Sequence, residues 1–272
     1  MFVREYKFAG RFYPEDKRVL VSMLQDMYQK CDSCQEKIRP RGILLPHAAY
    51  KYSGLVAMAV LKCIEIPENV IILAPNHSGL GEDVSIISSG KFSTPIGDVF
   101  INSDIARLII KNVPQVIEDR KAHIIEHSVE VQLPLLKYLR NDIKIVPVLI
   151  KKMVFDNFIR FVSKFKEFVL QNPLRDILFV STSDLSHYEN YEETERKDRL
   201  VLEHIKRMDI GGLRNCIERE RIRICGFESI ALNIEVCKSL GASSVIIKKY
   251  DTSKSYDYDC DRVVGYAGVC FV

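Results

Sequence analysis

Three of the six histidines in this 272-residue chain follow apolar runs in the same way. His47 closes Gly42-Ile-Leu-Leu-Pro-His47, and His77 closes Val70-Ile-Ile-Leu-Ala-Pro-Asn-His77. His187 follows the run Ile177 to Val180 through Ser181-Thr-Ser-Asp-Leu-Ser-His187. A short unbroken run of Ile, Leu and Val is the pattern of a strand buried on both faces. In open α/β sheets, polar groups just past the carboxyl ends of such strands face the crevice where ligands bind. A neutral imidazole placed there can bind a metal or move a proton; it can also simply cap local backbone. One such histidine reads as a cap. Two of them, His47 and His77, each following a proline at a strand end, read as metal ligands.

Asp184 and His187 form a Ser-x-Asp-x-x-His loop. His187 is expected to act as general acid or base with Asp184 orienting it, or either one approaches the metal. An Asx turn is the alternative for Asp184. Ser183 makes a poor hydrolase nucleophile, because no Gly-x-Ser-x-Gly elbow is present and triad members come from separate segments. His123-Ile-Ile-Glu-His127 fits the H-x-x-E-H pattern of inverzincin proteases, but that reading needs one helix through both histidines, and Pro134 argues against it. His127 is therefore expected to line the cleft as a substrate contact. His123 reads as a core-edge group and His204, beside the apolar stripe of its helix, as structural. Cys225 taken alone reads as a buried, inert thiol, although a place at a helix start would favour thiolate.

The composition bounds the rest. An apolar fraction of 47% and a charged fraction of 28% are those of a globular chain with a sizeable core. A net charge of +3 without a Lys/Arg run gives no reason to expect nucleic acid. No apolar run suits a signal peptide or a membrane span, so no membrane contact and a cytoplasmic location are expected. The eight irregularly spaced cysteines then read as mostly reduced thiols, with Cys31 and Cys34 as two thiols near a helix end. Neither Gly-x-x-x-x-Gly-Lys nor Gly-x-Gly-x-x-Gly after a strand is present.

To position these groups the chain offers alternating strands and helices. Helical spacing covers Glu15–Lys30, Leu55–Ile64, a segment capped by Asn102 or Ser103, Phe155–Leu170, Glu192–Met208 and Cys225–Leu240, the last stopped by Gly241. Strands are expected at 41–45, from Val70, at 84–88, 98–101, 143–150, 177–180, 245–250 and 262–271. The first two, joined by a helix, make a β-α-β unit and so a parallel pair. No linker or repeat divides the chain. One α/β domain over residues 1–272, with a central mostly parallel or mixed sheet flanked by helices, is the simplest account.

Laid out in order, the segments resemble the Memo family, whose microbial members are often called AmmeMemoRadiSam system protein B. The resemblance is carried by Ala9-Gly-Arg-Phe-Tyr-Pro14, Pro46-His-Ala-Ala-Tyr-Lys-Tyr-Ser-Gly54, Leu73-Ala-Pro-Asn-His77 and Thr94-Pro-Ile-Gly97. It continues through Ala122-His-Ile-Ile-Glu-His-Ser-Val-Glu-Val-Gln-Leu-Pro134, Ser183-Asp-Leu-Ser-His-Tyr188, Cys225-Gly226 and Val264-Gly-Tyr-Ala267. It implies a fold similar to the class III extradiol dioxygenases and one cleft metal, iron or copper, held at His47, His77 and Cys225, with Asp184 and His187 close by. On that resemblance Cys225 becomes a ligand. It also implies association with a radical-SAM enzyme and an AMMECR1-type protein, and leaves a peptide as another ligand for the cleft. Two positions depart from the relatives: Ala49 stands where the family has glycine, and a thiolate replaces the carboxylate of the ring-cleaving enzymes. The expected function is a redox-active mononuclear metalloprotein; a peptide- or partner-binding module and a ring-cleaving enzyme are the alternatives.

Overall fold

The computed structural model describes residues 2–172, 176–256 and 261–272. Its strands are β1 (Val3–Arg4), β2 (Gly42–Leu45), β3 (Asn69–Pro75), β4 (Val84–Ile86), β5 (Lys91–Phe92) and β6 (Val99–Ile101). β7 (Val116–Glu118), β8 (Lys144–Ile150), β9 (Ile177–Thr182), β10 (His187–Glu189), β11 (Val245–Thr252) and β12 (Val263–Phe271) follow. The helices are α1 (Lys17–Lys30), α2 (Tyr50–Leu61), α3 (Ser103–Asn112) and α4 (Gln132–Leu139). After them come α5 (Phe155–Gln171), α6 (Tyr191–Lys206), α7 (Ile210–Glu220) and α8 (Phe227–Ser239). All the strands belong to one mixed sheet whose main path is β1-β5-β6-β8-β3-β9-β2-β12-β10, with β11 beside β12, and β4 beside β7 and β8.

The parallel core is β8-β3-β9-β2. Its strands are apolar along their middles, with polar residues such as Asn69, Lys144 and Thr182 at the ends, because both faces are covered. In β2, Ile43 and Leu45 join one cluster with Leu24, Met58 and Leu61, while Leu44 joins another with Val201, Leu213 and Ile230. Alternate side chains leave opposite faces of a strand, so α1 and α2 cover one face of β2, and α6, α7 and α8 the other. α5 packs beside α8, with Phe158 against Phe227 at 5.9 Å between ring centroids and Lys166 paired with Glu235 at 2.7 Å.

The sequence expectation of an α/β sheet holds, with several corrections. β2 and β3 are parallel but not neighbours: β9 pairs with both and lies between them. A crossover fixes direction, not adjacency, so spacing along the chain could not reveal this. α2 begins at Tyr50 rather than Leu55, because buried Tyr50 anchors its hydroxyl to Val131 O at 2.6 Å. α7 was not expected; it buries only Leu213 and Cys216 and carries Gly211-Gly212, too weak a stripe to read. Cys34 is not a free thiol but is bonded to Cys63, with Cα atoms 5.5 Å apart. The loop after α1 lies along the exit of α2, where Ile38 N–H donates to Cys63 O and Glu65 N–H to Ile38 O, and this brings the two cysteines together. Cys31, Cys216, Cys225, Cys237 and Cys270 carry free thiols, and Cys260 lies outside the described residues.

The N-terminal arm is fastened to the cleft side of the sheet by one buried carboxylate. Glu130 pairs with Arg4 at 2.8 Å, both side chains being almost wholly buried, and accepts from the Tyr13 hydroxyl at 2.7 Å and Phe8 N–H at 2.8 Å. Removing one member of a buried pair strands the other charge. Glu130→Ala is therefore expected to cost about 3–5 kcal/mol in urea unfolding; a loss under about 1 kcal/mol, the range of exposed pairs, would show that the arm is held otherwise.

Candidate metal centre

Because β2, β9 and β3 run parallel side by side, their carboxyl ends deliver His47, the 183–187 loop and His77 to the same edge. His47 is 2% exposed, and its Nδ1 lies 3.0 Å from Thr182 Oγ1 at the end of β9. Its Nε2 lies 3.2 Å from Cys225 Sγ. Burial, then the neighbouring His77, His127 and His187, hold the His47 imidazolium well below its ordinary pKa. The ring is neutral, the form that binds metals.

His77 is fixed by a residue that sequence reasoning did not single out. Glu126 Oε1 accepts His77 Nδ1–H at 2.9 Å, and Oε2 accepts the His77 backbone N–H at 2.6 Å. Oε1 also takes the backbone N–H groups of His127 and Ser128, each at 3.0 Å. A carboxylate on Nδ1 sets the tautomer and leaves the Nε2 lone pair for a ligand. Burial alone raises a carboxyl pKa. Here the His77 hydrogen bond and charge, the Ser128 N–H and His127 outweigh it and bring Glu126 from 4.5 down to about 2. Its signal in the sequence is the carboxylate of the H-x-x-E-H stretch, standing between two histidines.

That stretch is not one helix. Lys121–His123 is a single 3-10 turn and α4 starts only at Gln132, which excludes the inverzincin geometry. His123 is buried beside Phe92, where desolvation lowers its pKa to about 4. His127 faces the cleft, stacked on His77 with centroids 4.7 Å apart and backed by Phe12 at 4.7 Å. Burial, then His77, lower its pKa to about 4, so it too is neutral. His204 lies away from the cleft, with Nδ1 3.6 Å from Asp209 Oδ2.

Cys225 immediately precedes the cap residue of α8, Gly226. The expected gain in acidity is reversed: burial and then Asp184 push the thiol upward, against weaker help from Ser183 and the Asp184 N–H. Without a cation it stays protonated. A Cβ on Gly226 would meet Thr182 O at 2.5 Å and Ser183 Cβ at 2.7 Å, so glycine is what lets Cys225 approach the end of β9.

His187 and Asp184 line the same cleft, of about 930 Å³, but their relation differs from the expectation. His187 Nδ1 sits between two carbonyls, Leu185 O at 2.7 Å and Arg223 O at 2.9 Å. Carbonyls only accept, so Nδ1 carries a proton, and in the neutral ring Nε2 holds the lone pair. Asp184 Oδ1 instead accepts the His47 N–H at 2.9 Å, which makes it a clamp on the His47 loop. Burial raises the Asp184 carboxyl, more than His187 and the His47 N–H lower it.

The donors fit a metal. One atom each from His47, His77 and Cys225 lie within 4.8 Å of one another. Ligands at about 2.0–2.3 Å in a tetrahedral site are about 3.5 Å apart, so a small inward movement completes the set. His77, Glu126 and His127 form a second group of that size, but Glu126 is already taken up by N–H donors.

Glu126→Gln gives a pH test on metal-free protein. A depressed folded pKa stabilises above the unfolded value of 4.5, and the effect is lost as pH falls through about 2. The variant is expected to be less stable at pH 6–7 by up to about 3 kcal/mol. In unfolding titrations that gap should close between pH 4.5 and 2; a constant gap contradicts the account.

A family model described as Memo-like protein matches residues 4–270. A MEMO1 family protein from Aquifex aeolicus is 39% identical over 276 residues, covering 100% of both chains. One from Methanopyrus kandleri is 34% identical, covering 97% of this chain and 96% of its own. Among solved structures, uncharacterized protein JW3007 from Escherichia coli K12 aligns with a TM-score of 0.54 at 11% identity, covering 85% of this chain and 100% of that one, a likeness of fold alone. Matched almost end to end in sequence, the chain belongs to the Memo-like family.

Proposed function

We propose that this chain is a mononuclear metalloprotein with redox activity. In this reading His47, His77 and Cys225 hold one iron or copper ion, His187 transfers a proton and His127 contacts the substrate. The observation that supports it most is the meeting, within 4.8 Å, of two imidazole nitrogens from the ends of β2 and β3 and one thiol sulfur from the start of α8. Such a set suits copper(I), iron(II) or zinc over magnesium, calcium or manganese. Iron or copper bound there would supply one-electron chemistry. The chain's own residues do the rest. Thr182 and Glu126 fix the ring planes of His47 and His77, and Asp184 fixes the loop that carries His47. His187 can take a proton at Nε2 while Nδ1–H stays bound to the two carbonyls. A thiol in third place, with Asp184 committed to backbone, is why we favour redox chemistry over ring cleavage.

No helix among the described residues is long and apolar enough to cross a membrane; a cytoplasmic location is part of the proposal. A second reading uses the cleft to hold a peptide or a partner, such as a radical-SAM enzyme or an AMMECR1-type protein. What favours it is the breadth of the cleft and its aromatic rim of Phe12, Tyr52 and Tyr188.

Metal content after anaerobic loading with copper(I) and iron(II) in competition separates the roles. Wild type and His187→Ala are expected to retain one ion, and Cys225→Ser to lose most of it. Cys225→Asp should shift the preference towards iron(II). Equal content and equal preference in all four would show Cys225 to be an inert thiol and would end the proposal.

A further inference from the structure

Beside the cleft lies a second cavity of about 400 Å³, walled by the start of α5, one face of α7 and the start of α8. Its lining is dominated by Met153, Phe155, Phe158, Ile217, Ile224 and Phe227. His77 and Cys225 line both cavities, so the chamber opens onto two of the three proposed metal donors. Protein interiors rarely leave voids larger than a water molecule, and a cavity of about 150 Å³ lined by Leu, Ile and Phe already holds benzene. None of the roles assigned above uses these aromatic walls.

Besides His77, the polar side chains on the wall are Asn76, Lys152, Arg214, Glu218 and Glu228. Asn76 is taken up by Ser78, Gly79 and Leu80, and Lys152 stands where the chamber meets the cleft. Arg214 stacks over the Phe155 ring at 4.0 Å and pairs with Glu218 at 2.8 Å, so its charge is answered. Glu228 is half-buried; it accepts a long 3.4 Å bond from Met153 N–H and one from its own backbone N–H, with the Lys152 charge nearby. Burial pushes its carboxyl upward. Aromatic walls with a carboxyl acceptor of this kind among them suit an aromatic group carrying a hydrogen-bond donor.

We propose that this chamber is the specificity subsite of the cleft and takes a neutral aryl group bearing one hydrogen-bond donor. That group is one end of a small amphipathic substrate whose other end reaches His77 and Cys225. The link to a substrate rests on the metal reading; the occupancy of the chamber by an aryl group does not.

The chain contains no tryptophan, so indole serves as a fluorescent probe without background. Titrated into metal-free protein, indole is expected to bind saturably with a blue-shifted emission. 1-Methylindole, which lacks the donor, should bind several-fold more weakly; equal affinity removes the donor from the proposal. Ile217→Phe, filling the chamber from α7, should weaken indole by about tenfold or more. Met153→Phe fills it from the segment before α5 and provides the same reading if the first variant does not fold. Tyr52→Ala, which alters only the open cleft, should leave indole binding unchanged. Absence of saturable binding, or filled variants that bind as wild type does, overturns the proposal. So does a loss in Tyr52→Ala as large as in the filled variants.

On metal-loaded protein, 4-phenylimidazole should bind about tenfold or more tightly than imidazole, and Ile217→Phe should abolish the difference. Protein that holds metal yet binds both alike overturns the chamber and leaves the metal reading standing. Protein that binds indole as described but takes up neither iron nor copper does the reverse.

Discussion

The site depends on a constraint of strand order: β9 lies between β2 and β3, and all three run in the same direction. Adjacent strands are about 4.8 Å apart, so the ends of β2 and β3 stand about 10 Å from each other. The two imidazoles close that distance to 5.0 Å between ring centroids by leaning over the end of β9. Thr182 and Asp184, supplied by β9 and its loop, fill the space beneath and hold His47 by ring and by backbone. Any other order of these strands would separate the histidines or leave the Asp184–His187 loop to one side.

Orientation is the second level of control. His77 and His187 each have Nδ1–H bound to an acceptor that cannot itself donate, a carboxylate in one case and carbonyls in the other. In its neutral form each ring therefore presents Nε2 as the lone pair. Glu126 contributes most, because it fixes the ring and backbone of His77 and the start of the next turn together. It stays ionised in a buried place because donors surround it. Cys225 is the opposite case: its surroundings keep the thiol protonated, so a bound cation is what would make it a ligand.

Much of this was legible in the sequence. Apolar runs ending beside histidines marked the buried strands and the sheet edge where the site lies, because burial on both faces removes polar residues from a strand until its end. The convergence of His47, His77, Asp184 and His187 follows from that pattern; His127 was expected from the H-x-x-E-H stretch, and for Cys225 only the family resemblance pointed to the site. What the sequence did not disclose was long-range. The place of β9, the Cys34–Cys63 bond and the attachment of Asp184 to the His47 N–H each join segments far apart in the chain, which local periodicity does not record. Glu126 was overlooked because a single carboxylate between two histidines looks like part of their motif rather than the group that positions one of them.

The proposed metal centre stands or falls on the identity of three donor atoms. X-ray absorption at the metal edge of protein loaded anaerobically with copper(I) or iron(II) reads them directly. The expected spectrum contains one sulfur scatterer and the outer-shell pattern of two imidazoles, with the sulfur lost in Cys225→Ser. A first shell of nitrogen and oxygen alone in the wild type would contradict it.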